Sequence, residues 1–481
     1  MKANMNICGK TALAAAVAAV ALASSAAAPD FKLGSVPNPT SIHIQRTMKA
    51  LEESTAEKPA TVRMLFYGQS IVAQKWPELL VKMMKEKYPT ANIVWENRAI
   101  GGFTSPSLTQ TSWSDLFPFY PDILFFHVYG PIDKYEEIVK NTRALTSAEI
   151  VLWSSHLKRD QDPKAMLAER DQRTKDIKAV AERNKCMFID LNKKWCEMLL
   201  ANNWPAGHLL VDGIHMNGST GALKYYAGFI GEELCRVPGA CGEPDVSGTI
   251  SEFPVSGGSG ITVADDGSIK FSFTGNRVVA VSSGKNFNPA EGAAQPEAEL
   301  FLDGRPVASY KEMWYCTRPS KVVSWMPMIN RVKFNVLPEK EDWALTYIEG
   351  TDKWAKPVHF KVEGTVTGFD GEGWSTNSFV SKSGRAVIDK GAYGFAWQYD
   401  YFVKKRLEKN PKLAEKAAKP GDKVTWSTLP LFASPFVAQK AGDISVLVQN
   451  CSNGRHILEI RPKKGGAMPG IEKFVVYAPA R

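Results

Sequence analysis

Between residues 61 and 235, short apolar runs rich in β-forming side chains alternate with segments whose apolar residues recur at helical spacing. The segments between these runs predict helices, including a long one at 164–184. Because strands linked by helices pair in parallel, this alternation predicts a mostly parallel sheet with helices on both faces. The predicted strands are 62–67, 92–95, 122–129, 149–153 and 187–191.

The first predicted strand ends at Gly68-Gln69-Ser70, after which a helical pattern begins. This order places Ser70 at the carboxyl end of a strand, the edge where open α/β sheets bind their ligands. Serine is also a favoured N-cap, so a capping role alone would explain the residue. Asp212 and His215, three positions apart before the last predicted helix, favour a catalytic role. Within one turn of chain, the histidine can face the site while the aspartate holds its ring.

These residues together resemble the sequence blocks of the SGNH (GDSL-type) hydrolase family. The Gly-Gln-Ser turn at 68–70 is similar to the first block, which carries the nucleophile, and 97–102 is similar to the second. Asp212 and His215 match the acid and base of the fifth block. The resemblance covers residues 61–235 and implies a flavodoxin-like three-layer α/β fold.

For the site, the resemblance implies a triad of Ser70, His215 and Asp212. It also implies an oxyanion hole formed by the backbone N–H groups of Ser70 and Gly102. The family's third block normally adds an Asn side chain to this hole, and the strand that ends at Tyr129 has none. The loss of one such donor typically lowers turnover on the order of 10²–10³-fold. We therefore expect either another donor or a slow enzyme.

Several polar side chains are candidates for the missing donor or for substrate contacts: Gln69, His127, Tyr129 and His156. His127 and Tyr129 share one face of their strand, and His156 follows the next strand at the same edge of the sheet. For the two histidines and the tyrosine, a buried and hydrogen-bonded side chain without a catalytic role is the alternative.

A metal site is a second interpretation of the same region. His208, Asp212 and His215 have a spacing that could bind a mononuclear zinc ion. No further cluster of ligands accompanies them in the sequence, and a zinc site would leave Ser70 without a role. We therefore predict no metal and no cofactor.

The chain changes character after this α/β region. Glycine-rich turns separate short alternating segments, one of them at 332–336, which predicts an all-β sandwich at 243–481. A stretch rich in Lys, Ala and Leu at 402–418 predicts a helical excursion. Trp374 and Trp397 are the tryptophans that we expect at the surface, where they could stack on sugar rings.

The first 28 residues have the features of a secretory signal peptide. Lys2 and Lys10 precede an apolar run at 12–23, and small residues follow it. We therefore expect a secreted or periplasmic protein without a membrane span, in which 29–60 is a leader segment and 61–242 is the hydrolase-like domain. Loss of the two lysines changes the formal charge from +9 to +7 (9 − 2).

Export also permits disulfide bonds, because extracellular compartments are oxidising. Cys235 and Cys241 could close a short loop at the end of the α/β region, and the sequence does not select one pairing. The cysteines outside the leader are Cys186, Cys196, Cys235, Cys241, Cys316 and Cys451.

These features predict a secreted serine esterase that removes small acyl groups, acetyl being the simplest, from a polysaccharide or oligosaccharide. The alternative is a protein of the same fold with weak or no catalysis that acts as a carbohydrate-binding module. The scattered lysines form no arginine-rich stripe, and an exported protein is a poor candidate for binding nucleic acid.

Overall fold

The computed structural model describes residues 29–480, except 288–294, 323, 350–356, 399–408, 411–419 and 465. The predicted signal peptide at 1–28 lies outside the described residues, and so does the predicted helix at 402–418 apart from residues 409 and 410. No helix in the described ranges is long and apolar enough to cross a membrane.

Five strands form a parallel sheet in the order β2-β1-β3-β4-β5. This is the flavodoxin-like order. From β1, the chain adds one strand on one side of the sheet and the next three on the other side, so that the switch point lies between β1 and β3. Ligand sites in such sheets lie at the carboxyl ends of the strands at the switch point. The predicted α/β class is confirmed. The strands are β1 (Thr61–Gly68), β2 (Asn92–Asn97), β3 (Ile123–His127), β4 (Glu149–Trp153) and β5 (Met187–Ile189).

The sheet is buried on both faces. Met64 and Phe66 of β1 pack into one apolar cluster, whereas Leu65 and Tyr67 pack into another. Because successive side chains point to opposite faces, a strand covered on both sides is apolar throughout, as the sequence of β1 is. The helices of this part are α1 (Gln45–Glu52), α2 (Trp76–Lys87), α3 (Ser105–Asp115), α4 (Ile132–Leu145), α5 (Pro163–Ala168), α6 (Gln172–Arg183), α7 (Leu191–Ala201) and α8 (Ala222–Gly231).

The prediction of one long helix at 164–184 is wrong, because the chain forms two helices there, α5 and α6, with a break between them. The Asp171 side chain accepts a hydrogen bond of 2.8 Å from the Thr174 N–H, and such an N-cap starts a new helix. Two helices of the α/β part, α3 and α7, were not predicted. The α3 sequence is rich in Ser and Thr, which have low helix propensity, and α7 begins directly after β5 with Asp190 as its cap.

The remainder of the described chain is β-rich, as predicted. An eight-stranded and a five-stranded antiparallel sheet each have a buried apolar cluster of their own, and a two-stranded sheet accompanies them. The strand expected at 332–336 is wrong, since only an isolated bridge forms there, between Lys333 and Val387.

The eight-stranded sheet contains β6 (Thr249–Pro254), β7 (Ile261–Val263), β8 (Ile269–Ser282), β9 (Glu297–Leu302), β10 (Arg305–Pro306), β18 (Phe436–Val437), β19 (Ile444–Pro462) and β20 (Ile471–Ala478). The five-stranded sheet contains β11 (Trp314–Cys316), β12 (Glu341–Glu349), β13 (His359–Gly364), β14 (Gly368–Trp374) and β17 (Lys423–Pro430). The small sheet pairs β15 (Phe379–Val380) with β16 (Val387–Ile388). Short helices are α9 (Pro244–Ser247), α10 (Phe395–Gln398) and the 3₁₀ turns Pro39–Ile44, Gly218–Thr220, Val307–Ser309, Lys311–Met313 and Lys390–Ala392.

Polar contacts join the α/β part to the β-rich part. The Arg318 guanidinium donates to both carboxylate oxygens of the buried Asp115, at 2.7 and 2.8 Å, and to the Arg98 carbonyl at 2.7 Å. On another side, the Tyr120 hydroxyl donates to the Asn276 side chain at 2.8 Å. The β-rich part is therefore fixed against the loop that follows β2.

The expected disulfide bonds are absent among the described residues, where all the cysteines are free thiols. Cys235 is buried and its Sγ donates to the Val36 carbonyl at 2.7 Å, whereas Cys241 is exposed. Cys235 and Cys241, the pair that could have closed a short loop, are therefore not bridged.

Candidate active site

Ser70 lies in the turn directly after β1, and α2 begins only at Trp76 with Lys75 as its N-cap. Ser70 therefore does not cap that helix. The Gln69 side chain holds the turn, because its Oε1 accepts from the Ile71 N–H at 2.6 Å and lies 3.3 Å from the Ser70 Oγ. A side chain at Gly68 would collide with the His127 carbonyl, so the close approach of β1 and β3 requires glycine there.

Ser70, His215 and Asp212 form a hydrogen-bonded row at the carboxyl edge of the sheet. The His215 Nε2 is 2.9 Å from the Ser70 Oγ, and its Nδ1 is 2.8 Å from the Asp212 Oδ2. In such a row the aspartate fixes the ring so that Nε2 can accept the hydroxyl proton. The arrangement can therefore generate a nucleophilic serine.

Asp212 is held as an anion. Partial burial alone would raise the pKa of Asp212, but the N–H groups of His215 and Ile214 and the His215 ring together lower it to about 2. Its Oδ1 accepts from these two N–H groups at 2.7 and 2.8 Å. The carboxylate thus stays charged at neutral pH and can stabilise an imidazolium form of His215.

The glycine loop after β2 lies beside the serine. A Cβ on Gly101 would stand 3.7 Å from the Ser70 Cβ, and Gly102 has a φ of +82°, which favours glycine. Within the described residues, the N–H groups of Ser70 and Gly102 have no hydrogen-bond acceptor. We keep these two groups as the proposed oxyanion donors.

The other predicted site residues lie behind this row. His127 is fully buried, its Nε2 is 2.9 Å from the Ser155 Oγ, and its Nδ1 is 3.5 Å from the Gln69 side-chain nitrogen. Tyr129 packs edge-on against the His127 ring, and burial raises the pKa of its hydroxyl, a shift that Ser155 counteracts. These positions favour support of the Gln69 turn over direct contact with an oxyanion.

His156 supports the other half of the row. Its ring is buried against Trp195 and Tyr226, and its Nε2 lies 2.6 Å from the Ile214 carbonyl. Ile214 is inside the turn that joins Asp212 to His215, so the contact with His156 positions that turn. We propose a positioning role for His156 in place of the oxyanion contact that the sequence left open.

We expect the two buried histidines to make stability dependent on acid pH. Burial is the main cause that lowers the pKa of His127 to about 3 and that of His156 to about 4. An unfolded histidine has a pKa of about 6.5, so unfolding takes up protons from about pH 6.5 down to about 4 for His156 and about 3 for His127. The contribution of these two histidines to the free energy of unfolding is therefore fully present above about pH 6.5. It decreases as the pH falls below that value.

Each such histidine contributes a slope of up to about 1.4 kcal/mol per pH unit. Urea unfolding across this range should show a shallower slope for His156→Gln, which retains a donor for the Ile214 carbonyl but does not titrate. Equal slopes for this variant and the wild type would contradict the assignment.

His208 does not join Asp212 and His215. Its ring stacks on Trp204, with ring centroids 4.4 Å apart. Among the residues that the structure describes, no three His, Cys, Asp or Glu side chains form a group that could hold a metal ion. The zinc interpretation therefore has no cluster to support it in this part of the chain.

Trp325, from the β-rich part, is a neighbour of the serine that sequence reasoning missed. Its indole N–H donates to the Gly101 carbonyl at 2.8 Å, and the side chain is 47% exposed. The next residue, Met326, is fully buried in the apolar cluster of the α/β part, directly against Gly102. The loop that carries both residues is thus anchored at the glycine loop.

The predicted surface tryptophans have different outcomes. Trp374 is exposed, as expected, and stacks on His359 with ring centroids 4.5 Å apart. The side chain of Trp397 lies outside the part of the chain that the structure describes. Local glycine and polar neighbours pointed to these two positions, but no local signal marks Trp325, because its place depends on how distant segments dock.

Fold and site together define the class: a flavodoxin-like α/β domain with a hydrogen-bonded Ser-His-Asp row at the carboxyl edge of its sheet. No protein-family model matches the chain, and no curated protein matches it. Solved structures of esterases and of a GDSL-like lipase do match it.

The lipase-like structure, from Parabacteroides merdae, is 18% identical and covers 36% of this chain and 95% of its own, with a TM-score of 0.31. An acetylxylan esterase from Geobacillus stearothermophilus is 21% identical and covers 36% of this chain and 96% of its own, with a TM-score of 0.30. A two-domain esterase active on acetylated mannans is 10% identical and covers 90% and 95%, with a TM-score of 0.32. At these values the fold class rests on the strand order itself.

Proposed function

We propose that this protein is a serine esterase that removes small acyl groups, acetyl in the first place, from a glycan. The observation that carries the proposal is the row of Ser70, His215 and Asp212, with 2.9 and 2.8 Å between successive partners. Row geometry of this kind activates a serine hydroxyl, and the site needs no metal or cofactor for that chemistry.

In the proposed reaction, the Ser70 Oγ attacks the ester carbonyl while His215 Nε2 takes the hydroxyl proton. The tetrahedral oxyanion is stabilised by the N–H groups of Ser70 and Gly102. His215 then returns the proton to the leaving sugar alcohol, which leaves an acyl group on Ser70. A water molecule, deprotonated by His215, releases the acid and restores the serine.

Two features of the site support an ester substrate that joins a small acyl group to a large alcohol. Trp325 and Met326 occupy the space beside the glycine loop, which limits the room for an acyl chain next to Ser70. The catalytic row itself is accessible, since the His215 side chain is 36% and the Asp212 side chain 54% exposed. An open row beside an exposed indole suits a sugar ring, because indole faces stack on such rings.

The alternative function is a carbohydrate-binding module without catalysis, which the missing third-block Asn favours. Acetate release separates the two functions. The purified full-length chain should release acetate from acetylated xylan or mannan and hydrolyse a chromogenic acetyl ester. Binding of the glycan with no acetate release from either substrate would favour the binding module.

We expect Trp325→Ala to raise KM for the polymer and not for the small ester. Loss of one indole stacking surface should raise KM for the acetylated glycan roughly 5- to 30-fold, as one or two kcal/mol of lost contact would. The KM for the chromogenic acetyl ester should change by less than about threefold, since the ester lacks the sugar.

The matched control is Trp374→Ala, another exposed tryptophan of the β-rich part that lies on β14. Trp374→Ala should leave the KM and kcat for both substrates unchanged. Equal KM values for Trp325→Ala and Trp374→Ala on the polymer would exclude the stacking role of Trp325.

A further inference from the structure

A cavity outside the catalytic row lies at the junction of the α/β part and the β-rich part, with a volume of about 260 Å³. This is near the lower end of the volumes of ligand clefts and suits one ring-sized group. Its walls include five aromatic side chains, which come from α3, the segment after it and the β-rich part. These are Trp113, Phe117, Trp314, Tyr315 and Phe334.

This cavity is separate from the catalytic row. Helix α3 begins at the catalytic edge of the sheet, where the Ser105 N–H donates to the Tyr129 carbonyl at 2.8 Å. Trp113 is eight residues further along the helix, which corresponds to about 12 Å of rise. A ligand in the cavity would therefore not contact Ser70.

Arg331 is the charged group of this cavity. Its guanidinium carbon lies over the Trp113 ring, 4.2 Å from the ring centre, and the guanidinium forms no hydrogen bond or ion pair with any residue that the structure describes. Burial lowers the pKa of Arg331 to about 10, with Asp389 acting in the opposite direction, so the group remains a cation at neutral pH. The Asp389 carboxylate is itself paired with Lys333 Nζ at 2.6 Å.

The geometry of this guanidinium fits a carboxylate. The N–H donors of a guanidinium lie in one plane as a rigid fork, and a carboxylate can accept two of them. Lys311 adds positive charge among the lining residues and Glu312 adds a carboxylate, while the charge of Lys333 is offset by Asp389. The aromatic walls meanwhile favour a ring with an apolar face.

We propose that this cavity binds a carboxylate-bearing ring of the size of one sugar unit, with the carboxylate on Arg331 and the ring against the aromatic walls. Two sources offer this chemistry: a uronic acid unit of a glycan and a free aromatic acid. The site is independent of ester hydrolysis, so it stands or falls separately from the function proposed above.

Calorimetric titration of the full-length Ser70→Ala protein tests the proposal, because this variant does not consume ester probes. The probes are sodium glucuronate and 4-hydroxybenzoate, each paired with its neutral methyl ester. We expect one of the acids to bind with one site per chain and its methyl ester to bind at least roughly 10-fold more weakly, as loss of a charged hydrogen bond predicts. The acid that binds identifies the source. Absence of binding for both acids, or equal affinity of acid and ester, would overturn the proposal.

Arg331→Gln should weaken binding of that acid roughly 10- to 100-fold. The control is Arg461→Gln, since the Arg461 guanidinium also lies over a ring, that of Phe301 at 4.0 Å, but Arg461 does not line the cavity. It should not change the affinity. Hydrogen exchange provides a measurement that needs no arginine variant: saturation with the acid should slow exchange at 311–316 and 331–334. Unchanged exchange in both segments would place the bound acid elsewhere and refute the site.

Discussion

Replacing Ser70 with alanine is expected to lower kcat for acetyl ester hydrolysis by roughly 10⁴- to 10⁶-fold, the loss typical of a triad nucleophile. The variant removes the Oγ that lies 2.9 Å from His215 Nε2, and with it the atom that would form the acyl-enzyme. The expected residual rate comes from binding and from the N–H groups alone. The measurement is steady-state hydrolysis of a chromogenic acetyl ester.

The matched control is Ser219→Ala, an exposed serine four residues beyond His215 whose hydroxyl bonds to the Asn217 side chain. It should retain the wild-type kcat within about threefold. If Ser70→Ala hydrolyses the ester as fast as Ser219→Ala, another nucleophile performs the reaction and the triad assignment is wrong. Asp212→Asn should be impaired less than Ser70→Ala, because it leaves the nucleophile and base in place.

The α/β architecture was predictable because its signal is local. A strand buried on both faces needs a continuous apolar run, and the run at β1 is visible without any knowledge of its partners. Helix α3 was not visible, since its Ser/Thr-rich sequence has low propensity and Thr111 and Ser112 are buried by tertiary packing. The strand expected at 332–336 failed for the same reason: β-propensity depends on partners that the fold does not supply there.

The candidate site divides in a similar way. Ser70, Asp212 and His215 were predictable because each follows a strand or precedes a helix whose order fixes the edge of the sheet. The inward orientation of His127 and His156 was not, since strand periodicity gives a face but does not say whether that face is covered. Trp325 is separated from Gly101 by more than two hundred positions of sequence, and only the docking of the β-rich part brings them together.

That docking depends on Arg318, and Arg318→Met is expected to lower the free energy of unfolding by about 3–5 kcal/mol at neutral pH. The Asp115 side chain is only 3% exposed, and Arg318 satisfies both of its oxygens. Burial is the main cause that raises the pKa of Asp115, with Arg318 acting in the opposite direction. Without the guanidinium, a charged and desolvated carboxylate would remain in the folded protein.

Urea denaturation followed by tryptophan fluorescence measures this loss, and its pH dependence identifies its origin. Because the unpaired Asp115 can be protonated at lower pH, the destabilisation by Arg318→Met should be smaller at pH 5 than at pH 8. The double variant Arg318→Met with Asp115→Asn should recover part of the loss, since no buried charge is then left unpaired. A loss that is the same at both pH values would point to lost packing of the Arg318 side chain instead of an unpaired carboxylate.

The control pair is Lys463 and Glu297, which are bridged at 2.9 Å on the surface of the eight-stranded sheet. Lys463→Met should change stability by less than about 1 kcal/mol, as is usual for exposed ion pairs.

Arg318 also donates to the Arg98 carbonyl, three residues before Gly101. Its loss should therefore lower kcat for ester hydrolysis even under conditions where the variant is fully folded, because the glycine loop beside Ser70 loses a fixed support. A folded Arg318→Met protein with wild-type kcat would show that β2, the Trp325 indole and Met326 hold the loop without Arg318.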